Sequence, residues 1–232
     1  MQALLTLLLL LPLAHADIAD LLASAADSAR PEPERMAAFE ALVAEGYGPT
    51  LIQAAEDPGL DARQRYVAAR ALGRIDSPPG QQALLRLLGD DVSGIRAAAA
   101  AALGEAHHVE HAPKVAALLE DQATIVRVAA ADALVQLPSA ASVPALERAL
   151  WEPSNFYRGQ SLWVRRHYVD ALGATGSRTA LPALIRCLDD ADATVVEAAL
   201  AALEQISGVS WAEGRTQQEQ LEAWRRWFAN QR

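Results

Sequence analysis

Three residues have the types and the spacing of a catalytic metal site. His107, Glu110 and His111 form His-x-x-Glu-His, the inverted zinc-protease motif, in which both histidines bind the metal and the glutamate holds its water. That motif requires one continuous helix. Here it follows Gly104, where we expect a helix to end, and precedes Pro113, where we expect the next to begin. The sequence therefore favours a polar turn, with no metal or other cofactor.

A second group of residues combines aromatic rings with arginine, which is typical of the anchors of protein interfaces. The members are Trp151, Phe156, Tyr157, Arg158 and Trp163. They lie in and beside the loop 152–161, which interrupts an otherwise regular pattern. Two interpretations remain open: the rings contact a protein partner, or they fold back as a plug on the chain's own alanine-rich surface.

The remaining residues offer little chemistry. The chain contains no glycine-rich phosphate loop, and no serine or cysteine stands in a nucleophile-elbow context. Its one cysteine, Cys187, lies within a helical pattern and is expected to be a buried apolar side chain. These observations favour a protein that is not an enzyme.

Composition limits the fold and the partners. The chain has 232 residues and a formal net charge of −9, which argues against sequence-independent binding of nucleic acid. Hydrophobic residues make up 52% of the chain but aromatic residues only 5%, and alanine and leucine dominate. Runs of β-branched residues with alternating polarity are absent, so we expect an all-α fold without strands.

The first 16 residues have the pattern of a signal peptide. A leucine-rich core ends at Leu13 and is followed by Ala14-His15-Ala16, which fits a cleavage site before Asp17. The apolar stretch is too short to span a membrane, so we expect no stable insertion after cleavage. We therefore expect a bacterial periplasmic or secreted protein. The alternative is an ordinary N-terminal helix, because no lysine or arginine precedes the core.

Alanine-rich segments that close on leucine recur along most of the chain. The closing leucines are Leu42, Leu72, Leu103, Leu134, Leu172 and Leu203. They recur about every 31 residues, and the fifth unit carries seven additional residues. Seven residues before the first five leucines stand Arg35, Arg65, Arg96, Arg127 and Arg165, whereas the last unit has Val196.

Each of these segments is predicted to be a helix that follows another helix. In Asp90–Gly104 the apolar residues recur at helical spacing, and alanine has the highest helix propensity. Preceding helices are predicted at Gln81–Leu88, His111–Glu120, Val143–Trp151 and Thr179–Leu188. Repeats of this size are stacked helix pairs, each of which buries its apolar face against its neighbours.

The repeated residues resemble HEAT repeats, particularly the short bacterial type also found in phycobilisome lyases. The resemblance is carried by three segments: Asp90 and Arg96 before Leu103-Gly104, Asp121 and Arg127 before Leu134, and Arg165 before Leu172-Gly173. It implies an α-solenoid in which these aspartates and arginines, with Arg65 and Arg165, form a ladder between adjacent repeats. The ladder is expected to end in the last unit, which has Asp190 but Val196.

These patterns divide the chain into a signal peptide at 1–16, a solenoid of about six helix pairs at 17–207, and a C-terminal capping helix within 208–232. The capping helix is predicted from Thr216 to Asn230, with Leu221, Trp224, Trp227 and Phe228 on one face. We expect an exported, non-enzymatic scaffold for a protein partner. The alternative is a HEAT-like lyase or a metal-dependent enzyme.

Overall fold

The computed structural model of the chain describes residues 17–158 and 160–231. The predicted signal peptide at 1–16 lies outside the described residues. Thirteen α-helices fill most of the described chain. They are α1 (Ile18–Ala26), α2 (Glu32–Ala44), α3 (Gly48–Glu56), α4 (Ala62–Ile75), α5 (Pro78–Leu87), α6 (Ser93–Glu105), α7 (Ala112–Ala116), α8 (Thr124–Gln136), α9 (Val143–Trp151), α10 (Val164–Ala174), α11 (Leu181–Cys187), α12 (Ala193–Ser207) and α13 (Gln217–Ala229).

The first twelve helices form six consecutive pairs, each an odd-numbered helix followed by an even-numbered one. The second helices of the pairs, α4, α6, α8, α10 and α12, pack side by side in one layer. The predicted all-α solenoid of stacked helix pairs is confirmed. Some first helices are less regular than predicted, because the segment His111–Glu120 is a short α-helix between two 3-10 turns.

Small side chains explain how the second helices pack. In α6 the four residues Ala97 to Ala100 are all buried, because α6 contacts α4 and α8 on either side and α5 behind it. A helix in the middle of the layer therefore buries more of its circumference than the single apolar stripe that the sequence predicted. Alanine permits this because it brings neighbouring backbones close while losing no side-chain entropy.

The sequence predicts that a helix ends at Gly104. In the structure the glycine of each Leu-Gly pair lies inside its helix. Helix α6 continues to Glu105, and a Cβ on Gly104 would lie 2.8 Å from the Cα of Ala133 in the next unit. Gly73 and Gly173 approach Ala102 and Ala202 in the same way. These glycines are needed for close contact between adjacent repeats.

The prediction that the chain has no strands is wrong at one place. Two-residue strands, β1 (Phe156–Tyr157) and β2 (Gln160–Ser161), pair antiparallel within the inserted loop, and Phe156 lies opposite Ser161. Strands of this length show no alternation of polarity in the sequence. The turn between them includes Arg158 with a positive φ of 51°, a backbone conformation that is uncommon for a residue with a side chain.

The last helix covers the end of the solenoid. Helix α13 packs on α11, and Trp224 is buried with its ring 5.3 Å from that of Trp227 in an edge-to-face arrangement. Arg225 on its other side binds Asp189 at 2.6 Å. Within residues 17–158 and 160–231, no helix combines the length and the apolar character needed to cross a bilayer.

Candidate functional site

Arginines from the second helices join neighbouring units. Arg96 donates from Nε and Nη2 to the two carboxylate oxygens of Asp121, at 2.7 and 2.9 Å. Arg165 makes the same kind of bidentate pair with Asp190, at 3.1 and 2.6 Å. Arg65 pairs with Asp90. Each pair therefore connects the arginine of one unit to the aspartate that precedes the second helix of the next unit.

Each nitrogen of these three guanidinium groups donates at least one hydrogen bond. The bond from Arg96 lowers the pKa of the Asp121 carboxyl, and the same bond raises the pKa of the Arg96 guanidinium. Arg65 and Arg165 also donate from Nε to carbonyl oxygens of their own units, at 3.0 Å each. Charged groups held in this way stabilise the stack.

The ladder continues through the long unit by means of a residue that the sequence analysis missed. Arg127 has no aspartate in the next unit, and its Nε donates instead to Oδ1 of Asn155 at 3.1 Å. Asn155 is fully buried and donates to the carbonyl of Ala149 at 2.7 Å. The sequence carries a partial signal for this bond: Arg127 has no matching aspartate in the next unit, and the inserted segment 152–161 contains the amides Asn155 and Gln160.

Asn155 fixes the start of the inserted hairpin, and the hairpin places two rings on the ladder. Phe156 lies over the guanidinium of Arg165, 4.4 Å from its ring centroid. Trp151 lies between Arg165 and Arg186, with their guanidinium carbons 5.1 and 3.9 Å from its ring. These two rings pack inward and form the plug described above.

The other members of the aromatic group face solvent. Tyr157 is 62% exposed and Trp163 is 57% exposed. The guanidinium of Arg158 lies 5.2 Å from the Tyr157 ring, and Trp163 packs edge-on against His167 at 5.3 Å. The structure therefore divides the five candidate residues into two half-buried rings, Trp151 and Phe156, and three exposed residues, Tyr157, Arg158 and Trp163.

The ion pair beside Trp163 predicts a pH dependence of stability. His167 Nδ1 lies 2.6 Å from Asp132 in the preceding unit, and this bond raises the pKa of His167 above its ordinary 6.5. A raised pKa stabilises the folded state at pH values below the ordinary pKa, and the effect is lost as pH rises through the folded pKa. Because the pair is partly exposed, we expect less than about 1 kcal/mol.

Urea unfolding measured from about pH 5.5, which is about one unit below the ordinary pKa of histidine, up to about pH 8.5 tests this effect. The free energy of unfolding of the natural chain should fall with rising pH relative to Asp132→Asn, which lacks the charge. Asp170 and Arg166 also face His167 and remain in both proteins. Parallel pH profiles for the two proteins would contradict the prediction.

The candidate zinc ligands do not converge. His107 has a positive φ of 56°, and its Nδ1 lies 3.3 Å from the carbonyl of Gln136. His111 is buried and contacts Gln81 in the preceding unit, whereas Glu110 is exposed. In the part of the chain that the structure describes, no three histidine, cysteine or carboxylate side chains are placed to hold a metal ion.

Cys187 has the environment of an inert thiol. It is completely buried in α11, and burial raises its pKa to about 12 despite the nearby Arg165. A thiol with this pKa is protonated at neutral pH and is a poor nucleophile.

Further large apolar side chains are exposed near the N-terminal ends of the second helices. Tyr66, Val92 and Ile125 are between 40 and 55% exposed, and Trp163 continues the series. Helical periodicity does not identify them, because a helix within the layer is buried on several sides and carries apolar residues around most of its circumference. Together with Tyr157 they are exposed apolar side chains available to a partner.

Family models match much of this chain. The model described as HEAT repeats matches residues 93–163 and 158–212, and the model described as PBS lyase HEAT-like repeat matches residues 64–90. No curated protein matches the chain. The matched segments contain all but the first of the ladder arginines and most of the second-helix layer.

Solved structures have the same architecture. The complex of CpcE and CpcF of phycocyanin lyase from Nostoc sp. PCC7120 matches with a TM-score of 0.61 and 26% identity over 70% of this chain, which spans only 65% of that chain. Kap121p matches with a TM-score of 0.58 and 18% identity, over 82% of this chain and 25% of that one. A designed armadillo repeat protein in complex with the peptide (KR)4 matches with a TM-score of 0.51 and 17% identity, over 82% of this chain and the whole of that one.

Proposed function

The chain belongs to the HEAT-repeat family, and we propose that it is a non-enzymatic scaffold that binds a protein partner. The observation that carries the proposal is the exposed pair Tyr157 and Trp163, held on a rigid base. Large exposed rings beside arginine are favoured at the centres of protein interfaces, because they bury much area and lose little side-chain entropy. Tyr157 lies beside the turn of the only hairpin in the described chain, and Trp163 follows that hairpin directly before α10.

The rigid base supports this role. Asn155 is bonded on both sides, and Phe156 and Trp151 are packed on buried guanidinium groups. A loop that is already ordered loses little entropy when a partner binds. The inserted residues thus present two rings on a preorganised surface at the point where the repeat is broken.

The proposed location is the bacterial periplasm or the cell exterior, and it rests on the pattern of residues 1–16. Mass spectrometry of the mature N-terminus from the native envelope fraction tests it. A chain that begins at Asp17 supports export, and a chain that retains residues 1–16 contradicts it.

Affinity capture from the native envelope fraction tests the binding role. The double variant Tyr157→Ala with Trp163→Ala should retain its helical content and lose at least about tenfold in the amount of partner captured, since buried aromatic anchors contribute more than about 2 kcal/mol each. The matched control is Val109→Ala, which removes another exposed apolar side chain far from the hairpin. Equal capture by the double variant and the control would rule out this surface.

A second candidate function is a lyase-type activity, which the similarity to the phycocyanin lyase structure favours. The purified protein is mixed with apo-phycocyanin and its bilin, and covalent attachment is followed by fluorescence in a denaturing gel. Attachment above the rate without the protein would support the lyase. The proposed export argues against it, because that substrate is cytosolic.

A further inference from the structure

A groove at the N-terminal end of the solenoid has an unusual lining for this acidic chain. It has a volume of about 490 Å³ and lies where the first three units meet. Its walls are mainly apolar, with Tyr66, Val67, Val92 and Ile95 among them. Two guanidinium groups, those of Arg35 and Arg63, also line it, and no carboxylate does among the described residues.

Arg35 is the ladder arginine of the first unit, and its carboxylate is missing. In the third, fourth and sixth units an aspartate stands six residues before the position of the ladder arginine. Each of these aspartates binds the ladder arginine of the preceding unit. In the second unit that position is Gly59. Among the residues that the structure describes, the Arg35 side chain has no hydrogen-bond or ion-pair partner, although its Nε is buried.

Arg63 also keeps free donors. In the described chain its guanidinium is bonded only to the hydroxyl of Ser28, at 3.1 Å. Arg35 is half-buried, whereas Arg63 is exposed. A guanidinium can bind a carboxylate bidentately, as Arg165 does elsewhere in this chain, and the partial burial of Arg35 strengthens such a pair. The groove thus pairs two unneutralised cations with an apolar wall that includes the exposed side chains of Tyr66 and Val92.

We propose that this groove binds an acidic peptide segment of a protein partner. A carboxylate of the segment is held by Arg35 and Arg63, in place of the missing ladder aspartate, and an adjacent apolar side chain lies against Tyr66 and Val92. The site goes beyond the proposed function, because it lies at the other end of the solenoid from the Tyr157 and Trp163 pair.

Charge selects this occupant over others. The net charge of −9 disfavours long polyanions such as nucleic acid and anionic bilayers, because most of their charges would lie outside the groove against the acidic remainder of the chain. Two guanidinium groups match one or two carboxylates. Residues 1–16 contain no aspartate or glutamate, so they do not supply the carboxylate side chain from within the chain.

The test uses a synthetic peptide that repeats Glu-Leu-Ser, with a Gln-Leu-Ser peptide as its uncharged match. The Nε–Hε NMR resonance of Arg35, assigned by its loss in Arg35→Gln, should shift and saturate with the acidic peptide and remain unchanged with the uncharged one. The affinity should fall about tenfold in Arg35→Gln, because a charge-assisted hydrogen-bond pair is lost. Arg35→Lys should show an intermediate affinity, since lysine keeps the charge without the bidentate geometry.

Controls separate this site from the rest of the molecule. Arg178→Gln removes an arginine that binds Gln231 at the far end of the chain and should leave the affinity unchanged. The Tyr157→Ala with Trp163→Ala variant should also bind normally, so that the two proposals stand or fall separately. Equal affinity of Arg35→Gln, equal binding of both peptides, no saturable shift of Arg35, or a shift caused by self-association without peptide would each overturn the proposal.

Discussion

Replacing Asp190 with alanine is expected to lower the free energy of unfolding by about 3–5 kcal/mol. Its partner Arg165 is completely buried, and the rings of Phe156 and Trp151 cover its guanidinium. Without the carboxylate, the buried guanidinium loses its ion pair, and the remaining bond to the carbonyl of Leu150 does not replace it. Urea unfolding followed by far-UV circular dichroism measures the loss.

Two further proteins control for the origin of this loss. Glu56→Ala removes one partner of the exposed pair with Arg86 and should cost less than about 1 kcal/mol. The double variant Arg165→Met with Asp190→Leu removes both charges and should recover much of the stability, because an apolar pair needs no compensation. A loss of less than about 1 kcal/mol in Asp190→Ala would show that Arg165 finds water or another partner.

Gly104→Leu is expected to destabilise the solenoid by about 3 kcal/mol, at the upper end of the cost of overpacking. The added Cβ alone would lie 2.8 Å from the Cα of Ala133, so the backbones of α6 and α8 must separate. Gly104→Ala should also destabilise, although alanine favours helix by about 1 kcal/mol over glycine. The measurement is the same urea unfolding experiment.

Gly94→Ala is the matched control, because Gly94 lies in the first turn of the same helix and a Cβ there meets no atom within 4 Å. This variant should be neutral or stabilised by up to about 1 kcal/mol. If Gly104→Ala stabilised the protein as much as Gly94→Ala, the close approach of the two helices would not limit the packing.

The sequence by itself determined the repeat and therefore the fold. Alanine content, the period of about 31 residues and the ladder arginines predict stacked helix pairs, because each such helix needs a close neighbour to bury its small side chains. The same pattern located the inserted loop and the C-terminal helix by their departure from it. Local composition and spacing were sufficient for these predictions.

Only the tertiary structure decided which side chains meet across units. Arg127 is bonded to Asn155, and Arg35 has no carboxylate, because partners some 25 residues away depend on the exact loop between two helices. The four rings of the inserted loop and its flanks have no sequence feature that separates them. In the structure, Phe156 and Trp151 pack on guanidinium groups, whereas Tyr157 and Trp163 are exposed. The sequence predicts a helix end at Gly104, whereas in the structure Gly104 lies in close contact with Ala133 of the next unit. Periodicity reports which face of a helix is buried, but it does not report which neighbour buries it or how closely that neighbour approaches.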